Sequence, residues 1–174
     1  MNSFLDQEMN QLEAIEFINL CSRSFYQRET PFILKKASYE KEFVDHLSSE
    51  VILEESRYHD VKYKSLSIEV KKGQGAFWIP EVRMAEMITT MNDVKNHWTL
   101  FIRFSKPKKI ITHLGLIPTF DLIEDMNITQ EWAELIIARD QKMKQRQRTI
   151  HCQQSYSWSA LVQLPRLLTL KLEQ

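Results

Sequence analysis

The sequence predicts an α/β (α+β) domain, a mixed central β-sheet flanked by helices. Two observations lead there. Segments with apolar residues at helical spacing are interleaved with short runs in which apolar and polar residues alternate. The resulting order, α-α-β-β-(β)-α-β-β-α and an apolar tail, requires a sheet on which the helices bury their apolar faces. With 174 residues, 43% of them hydrophobic, the chain is long enough for a substantial core and is expected to form one domain over 1–174.

Leu5, Met9, Leu12, Ile15, Phe17 and Ile18 repeat at helical spacing, so an amphipathic helix is expected over 5–22, capped by Ser3 or Asp6. Pro31 breaks the chain. A second helix is expected over 38–49, with Phe43, Val44, Leu47 and Val51 inward and Glu40 on that same face. A carboxylate on a buried stripe is costly unless it is paired or bound to a metal. Strands follow at 58–63 and 66–72, then a turn at Gly73-Gln74-Gly75 and a short extended piece over 76–79. Pro80 suits the first turn of a helix running from Glu81 to Met91. Residues 97–104 form a strongly β run, and Lys106-Pro107-Lys108-Lys109 turns it into a further strand over 110–114. Residues 118–123 read as extended or irregular. Asn127-Ile128-Thr129 caps a long helix reaching about Arg148, and the tail over 149–174 is apolar enough to pack back on the sheet.

Composition narrows the function. There are 23 basic and 23 acidic residues, so any attraction for nucleic acid must come from local clusters. The three glycines, Gly73, Gly75 and Gly115, form neither a G-x-G-x-x-G nor a Walker motif, which argues against a nucleotide cofactor. Cys21 and Cys152 match no metal-ligand spacing and read as reduced thiols of a cytoplasmic protein. The acidic, helical N-terminus is unlike a signal peptide, and no apolar run reaches the ~18–20 residues of a membrane span. The histidines show no clustered metal spacing, and a polar surface role is expected for His59. The four tryptophans, Trp78, Trp98, Trp132 and Trp158, are expected as core or interface anchors.

The chemistry concentrates between His59 and Lys72. On a strand, Ile68 and Val70 point one way, while Glu69 and Lys71 point the other, about 7 Å apart. A hairpin through Lys64-Ser65 brings Asp60 beside them. Two carboxylates and a lysine at a strand end suit a divalent metal that activates water against a phosphodiester. The same letters also fit an exposed ribbon of alternating charge, in which Glu69 and Lys71 form a surface pair of little energetic weight.

The order helix, acid-bearing strand, Glu-x-Lys strand, helix, strand is similar to the layout of the PD-(D/E)xK nuclease superfamily. Over roughly 38–104, through Glu40, Asp60 and Glu69-Val70-Lys71, the chain resembles a small type II restriction endonuclease with its restriction-endonuclease-like core. The proline of the motif's name is replaced by His59. The resemblance implies a Mg²⁺-dependent, sequence-specific endonuclease acting on double-stranded DNA. Asp60, Glu69 and the Val70 carbonyl would hold Mg²⁺; Lys71 would orient the attacking water, and Glu40 would supply a further acid. Gln74 is a weaker addition. One site per chain and cleavage of both strands imply a homodimer facing a palindrome, joined through helix 5–22 or the tail. Within 127–174, Lys142, Lys144, Arg146 and Arg148, with Arg139 a turn earlier, are the densest basic stretch and suit phosphates, as do Lys106, Lys108 and Lys109. Gln145, Gln147, Gln153, Gln154 and Ser155 carry groups able to read base edges. The rival functions are a homing endonuclease, junction resolvase or repair nuclease of the same superfamily, and a non-catalytic α/β interaction protein.

Overall fold

A computed structural model describes residues 3–26, 28, 39–54, 56–90, 94–146 and 153–172, without the side chains of residues 3–6. Pro31, Gln147, Arg148 and Cys152 therefore lie outside the described residues, as do the capping side chains expected at Ser3 or Asp6. The fold is α+β: helices pack against a six-stranded mixed sheet.

The elements in chain order are α1 (Ser3–Phe25), α2 (Tyr39–Asp45), β1 (Val51–Leu53), β2 (Val61–Tyr63), β3 (Leu66–Gly73), β4 (Ala76–Pro80), α3 (Glu81–Thr90), β5 (His97–Ser105), β6 (Ile110–Pro118), α4 (Thr119–Asp125), α5 (Gln130–Gln145), β7 (Gln153–Ser157), α6 (Trp158–Leu161) and β8 (Leu168–Lys171). The main sheet runs β1-β2-β3-β5-β6-β8, and β4 with β7 forms a separate ribbon. Among the described strands only β3 and β5 are parallel; the segment holding β4 and α3 connects them. Such a crossover is the usual way to join parallel neighbours.

Period-two alternation along the central strands divides the interior into two cores. Ile68, Val70, Trp98, Leu100 and Ile102 face α1, where they meet Ala14, Phe17, Ile18 and Cys21. Phe101 and Ile117 face the other way, toward Met84, Met87, Leu122, Ala133 and Ile136 of α3, α4 and α5. Glu69 and Lys71 share the parity of Thr99 and Phe101 through the β3–β5 register, so they lie on the α3 side.

Several expected elements are corrected. The inward stripe of α1 is Asn10, Ala14, Phe17, Ile18, Cys21 and Phe25, whereas Met9, Leu12 and Ile15 are exposed, Leu12 by 62%. Apolar residues surround this helix, and the sheet selects the side with small residues between aromatic ones. α2 stops at Asp45: Leu47 closes a tighter bond to the Val44 carbonyl, and the His46 ring engages the Glu42 carbonyl at 2.6 Å. Val51 belongs to β1, not to that helix. The first hairpin strand is only Val61–Tyr63, because the residues before it form a side-chain-bonded turn. β6 continues to Pro118, and Thr119–Asp125 is helical rather than extended, with Pro118 at its N-cap. The tail divides: β8 completes the main sheet beside β6, while β7 pairs with β4. Trp98 is buried, but Trp78 and Trp132 are 58% and 49% exposed and anchor no core.

Candidate active site

β2 ends where β3 does not, and this mismatch makes the site. The antiparallel ladder stops at Val61–Ile68, extended by one bond from the Asp60 amide to the Ile68 carbonyl at 3.0 Å. β3 runs on to Gly73, leaving Val70 facing the gap. A buried peptide group needs a partner, and side chains provide it here. The Val70 amide donates to Asp60 Oδ2 at 2.7 Å, and the Val70 carbonyl accepts from the Tyr39 hydroxyl at 2.7 Å. The hairpin that permits this turns at Lys64, whose φ of 51° is left-handed, and α1 braces the turn. Glu16 pairs with Lys64, and Glu13 accepts from the Ser65 amide at 3.1 Å.

Asp60, Glu69 and Lys71 converge. Glu69 is buried, and its Oε1 pairs with Lys71 and also accepts from Arg83 Nη1 of α3 at 3.2 Å. Burial, reinforced by the negative charge of Glu69, pushes the Asp60 carboxyl up to about 6, against the Val70 amide and Lys71, which pull it down. Two carboxylates with overlapping demands for cations therefore stand side by side.

Glu40 takes a different position from the other three. It sits half-buried in the first turn of α2, where its charge acts on Tyr39 and on Lys72. Lys72 shares the parity of Val70 and so lies on the opposite face of β3 from Lys71; its ammonium rests 4.0 Å from the centre of the Tyr39 ring. Burial first, then Glu40, Asp60 and Glu69, raise the Tyr39 hydroxyl above the ordinary tyrosine range, so it remains a donor. Among the described residues no group of three or more His, Cys, Asp or Glu side chains could hold a metal, so Glu40 completes no three-carboxylate set.

The donor set still fits a hard cation. Mg²⁺ takes oxygen ligands, keeps several waters and is commonly held by one or two carboxylates. Asp60 and Glu69 supply these, and the Val70 carbonyl keeps a second lone pair beside its bond to Tyr39.

Other expected positions are dispersed. Gln74 is exposed in the turn after β3, its carbonyl held by Arg103 Nε at 3.1 Å. Arg139, Lys142, Lys144 and Arg146 are exposed at the end of α5, with Lys144 paired to Asp140 at 2.6 Å. Gln153 and Ser155 are exposed on the ribbon. His59 is buried rather than on the surface, bonded to Ser56 Oγ at 2.9 Å and Glu54 Oε1 at 3.2 Å. Tyr39, Arg83 and the buried His97 also belong to this neighbourhood and are not singled out by the sequence pattern. Nothing in their local pattern marks them, since each is placed by an element distant in the chain.

No family model matches this chain, and neither curated proteins nor solved structures give a match. Among the described residues no helix is long and apolar enough to cross a membrane.

Proposed function

We propose that this chain is a Mg²⁺-dependent endonuclease of the PD-(D/E)xK kind that cuts double-stranded DNA at specific sequences, as a type II restriction enzyme does. The observation carrying the proposal is the meeting of Asp60, Glu69 and Lys71 at a gap in the sheet. A surface ion pair would not require Glu69 to be buried with two cations around it. The sequence of elements also supports the reading. Helix α2, Asp60 at the entry to β2, Glu-x-Lys-bearing β3, helix α3 and strand β5 follow in the order of a restriction-endonuclease-like core.

In this mechanism Asp60, Glu69 and the Val70 carbonyl would hold the cation. A Mg²⁺ bound there would supply an activated water and neutralise charge on the phosphate. Lys71 donates toward the water and the phosphoryl oxygens, stabilising charge that builds up in the transition state. The water oxygen bonds to phosphorus as its proton passes to solvent, the bridging P–O bond breaks, and the departing oxygen takes a proton from solvent. Arg83 offers a second cation on the same face for the phosphate. Two copies facing a palindrome would cut both strands.

Incubation with plasmid and phage DNA in Mg²⁺ tests this. Discrete fragments are expected from the wild type, with cleavage reduced at least about 100-fold in Glu69→Ala and in Lys71→Ala. Absence of cutting on varied duplexes with either Mg²⁺ or Mn²⁺ overturns the proposal.

A further inference from the structure

His97 opens β5 with no exposed surface, and all its hydrogen-bonding capacity is used. Its Nε2 lies 2.6 Å from the Tyr58 carbonyl, its Nδ1 lies 2.7 Å from Thr119 Oγ1, and that oxygen lies 2.8 Å from Thr99 Oγ1. A carbonyl only accepts, so Nε2 carries the proton. Nδ1 of the neutral ring is then the acceptor, Thr119 donates to it, and Thr99 donates to Thr119. Burial, opposed by the Tyr58 carbonyl, holds the imidazole down to about 4, so the ring is neutral at ordinary pH and this donor order holds.

Tyr58 stands two residues before Asp60. The bonds among Glu54, Ser56 and His59 shape the turn from within. Among the described residues, the turn is tied to other elements by hydrogen bonds at two places, the exposed Arg57–Glu86 pair with α3 and the part-buried His97–Tyr58 bond, and by packing of Tyr58 on the α3-side core and of His59 edge-on to His97 with ring centres 6.2 Å apart. Exposed pairs fix geometry weakly, whereas a buried bond with one tautomer fixes both distance and direction. We infer that His97 is a positioning residue: through the Tyr58 carbonyl it sets where the Asp60 carboxylate meets the Val70 amide. Its role in metal binding rests on the nuclease reading; its role in placing Asp60 does not.

The experiment compares His97→Asn with His97→Gln. Asparagine puts an oxygen where Nδ1 lies, keeping Thr119 but leaving the Tyr58 carbonyl without its donor. Glutamine puts an amide nitrogen where Nε2 lies and restores it. In the metal-free protein, the Val70 amide proton signal is expected to move upfield and exchange faster in His97→Asn, and to return toward wild type in His97→Gln. Titration with Mg²⁺ alone is expected to show about 10-fold weaker binding in His97→Asn, and cleavage to lose kcat with KM for DNA unchanged. A folded His97→Asn with a wild-type Val70 amide, or Asn and Gln variants that behave alike, overturns the inference. Should His97→Asn fail to fold, Thr119→Val, which frees the tautomer, is expected to shift the same amide in the same direction; an unshifted amide there overturns it equally. If the amide responds as expected but the wild type neither binds Mg²⁺ nor cuts DNA, the nuclease reading fails and the positioning role stands.

Discussion

Asp60 is held in a compromise between a neighbour that wants its charge and surroundings that do not. The Val70 amide favours the ionised carboxylate, while burial and Glu69 favour the protonated one, and the latter prevail. The sign of the resulting pH dependence follows. Below about 3.8 the carboxyl is protonated in folded and unfolded chains alike and contributes nothing. As pH rises from about 3.8 to about 6, the unfolded chain ionises first, so stability falls; above about 6 the full penalty persists. Asp60→Asn retains an acceptor for the Val70 amide and removes that penalty. The metal-free variant is expected to exceed the wild type by roughly 1–2 kcal/mol at pH 8, or several degrees in Tm, and by nearly nothing near pH 4. Thermal melts across pH check this, and a gap that does not change with pH contradicts it. Asp60, Glu69 and Lys71 were legible because two positions on one strand share a face and a hairpin returns the third. Tyr39 and Arg83 were not, since each reaches β3 from an element whose docking the local pattern does not encode.

Elements were legible to the extent that their pattern was one-sided. β3 alternates apolar and polar residues from Leu66 to Lys71 with Glu69 and Lys71 on one face, so its orientation could be read directly. β1 has three residues, too few for any period to appear. α1 has apolar side chains all round, and the larger ones misled: the buried stripe interleaves Ala14 and Cys21 with Phe17 and Phe25 so that the helix can approach the sheet closely. Phe17 packs on Tyr63 with ring centres 5.3 Å apart, and Phe25 on Phe43 at 5.5 Å. This predicts unequal costs along one helix. Phe17→Ala removes a fully buried ring and is expected to cost about 3–5 kcal/mol, while Leu12→Ser changes an exposed position and should stay within about 0.5 kcal/mol. Urea unfolding of the two variants decides; similar losses would mean that α1 docks on its other face.

At the scale of the molecule, zero net charge means that, under the proposed function, DNA would not be drawn in by a global field and binding would have to come from local exposed cations. At the end of α5, Lys142 and Arg146 are exposed, while Lys144, though also exposed, is engaged by Asp140 one turn back. An engaged lysine releases fewer counterions when it reaches a phosphate, because it must first give up its carboxylate. The slope of log affinity against log salt is about −0.9 per phosphate neutralised on duplex DNA. Lys142→Ala and Arg146→Ala are each expected to make that slope shallower by close to one unit and to weaken binding evenly across sequences. Lys144→Ala is expected to change it less. Anisotropy titrations of a labelled duplex in EDTA, over about 50–200 mM salt, measure all three against the wild type. If none of the slopes changes, the end of α5 does not contact the backbone, and on the proposed function the duplex would be held by other basic groups, of which Arg83 beside Glu69 is the first to replace.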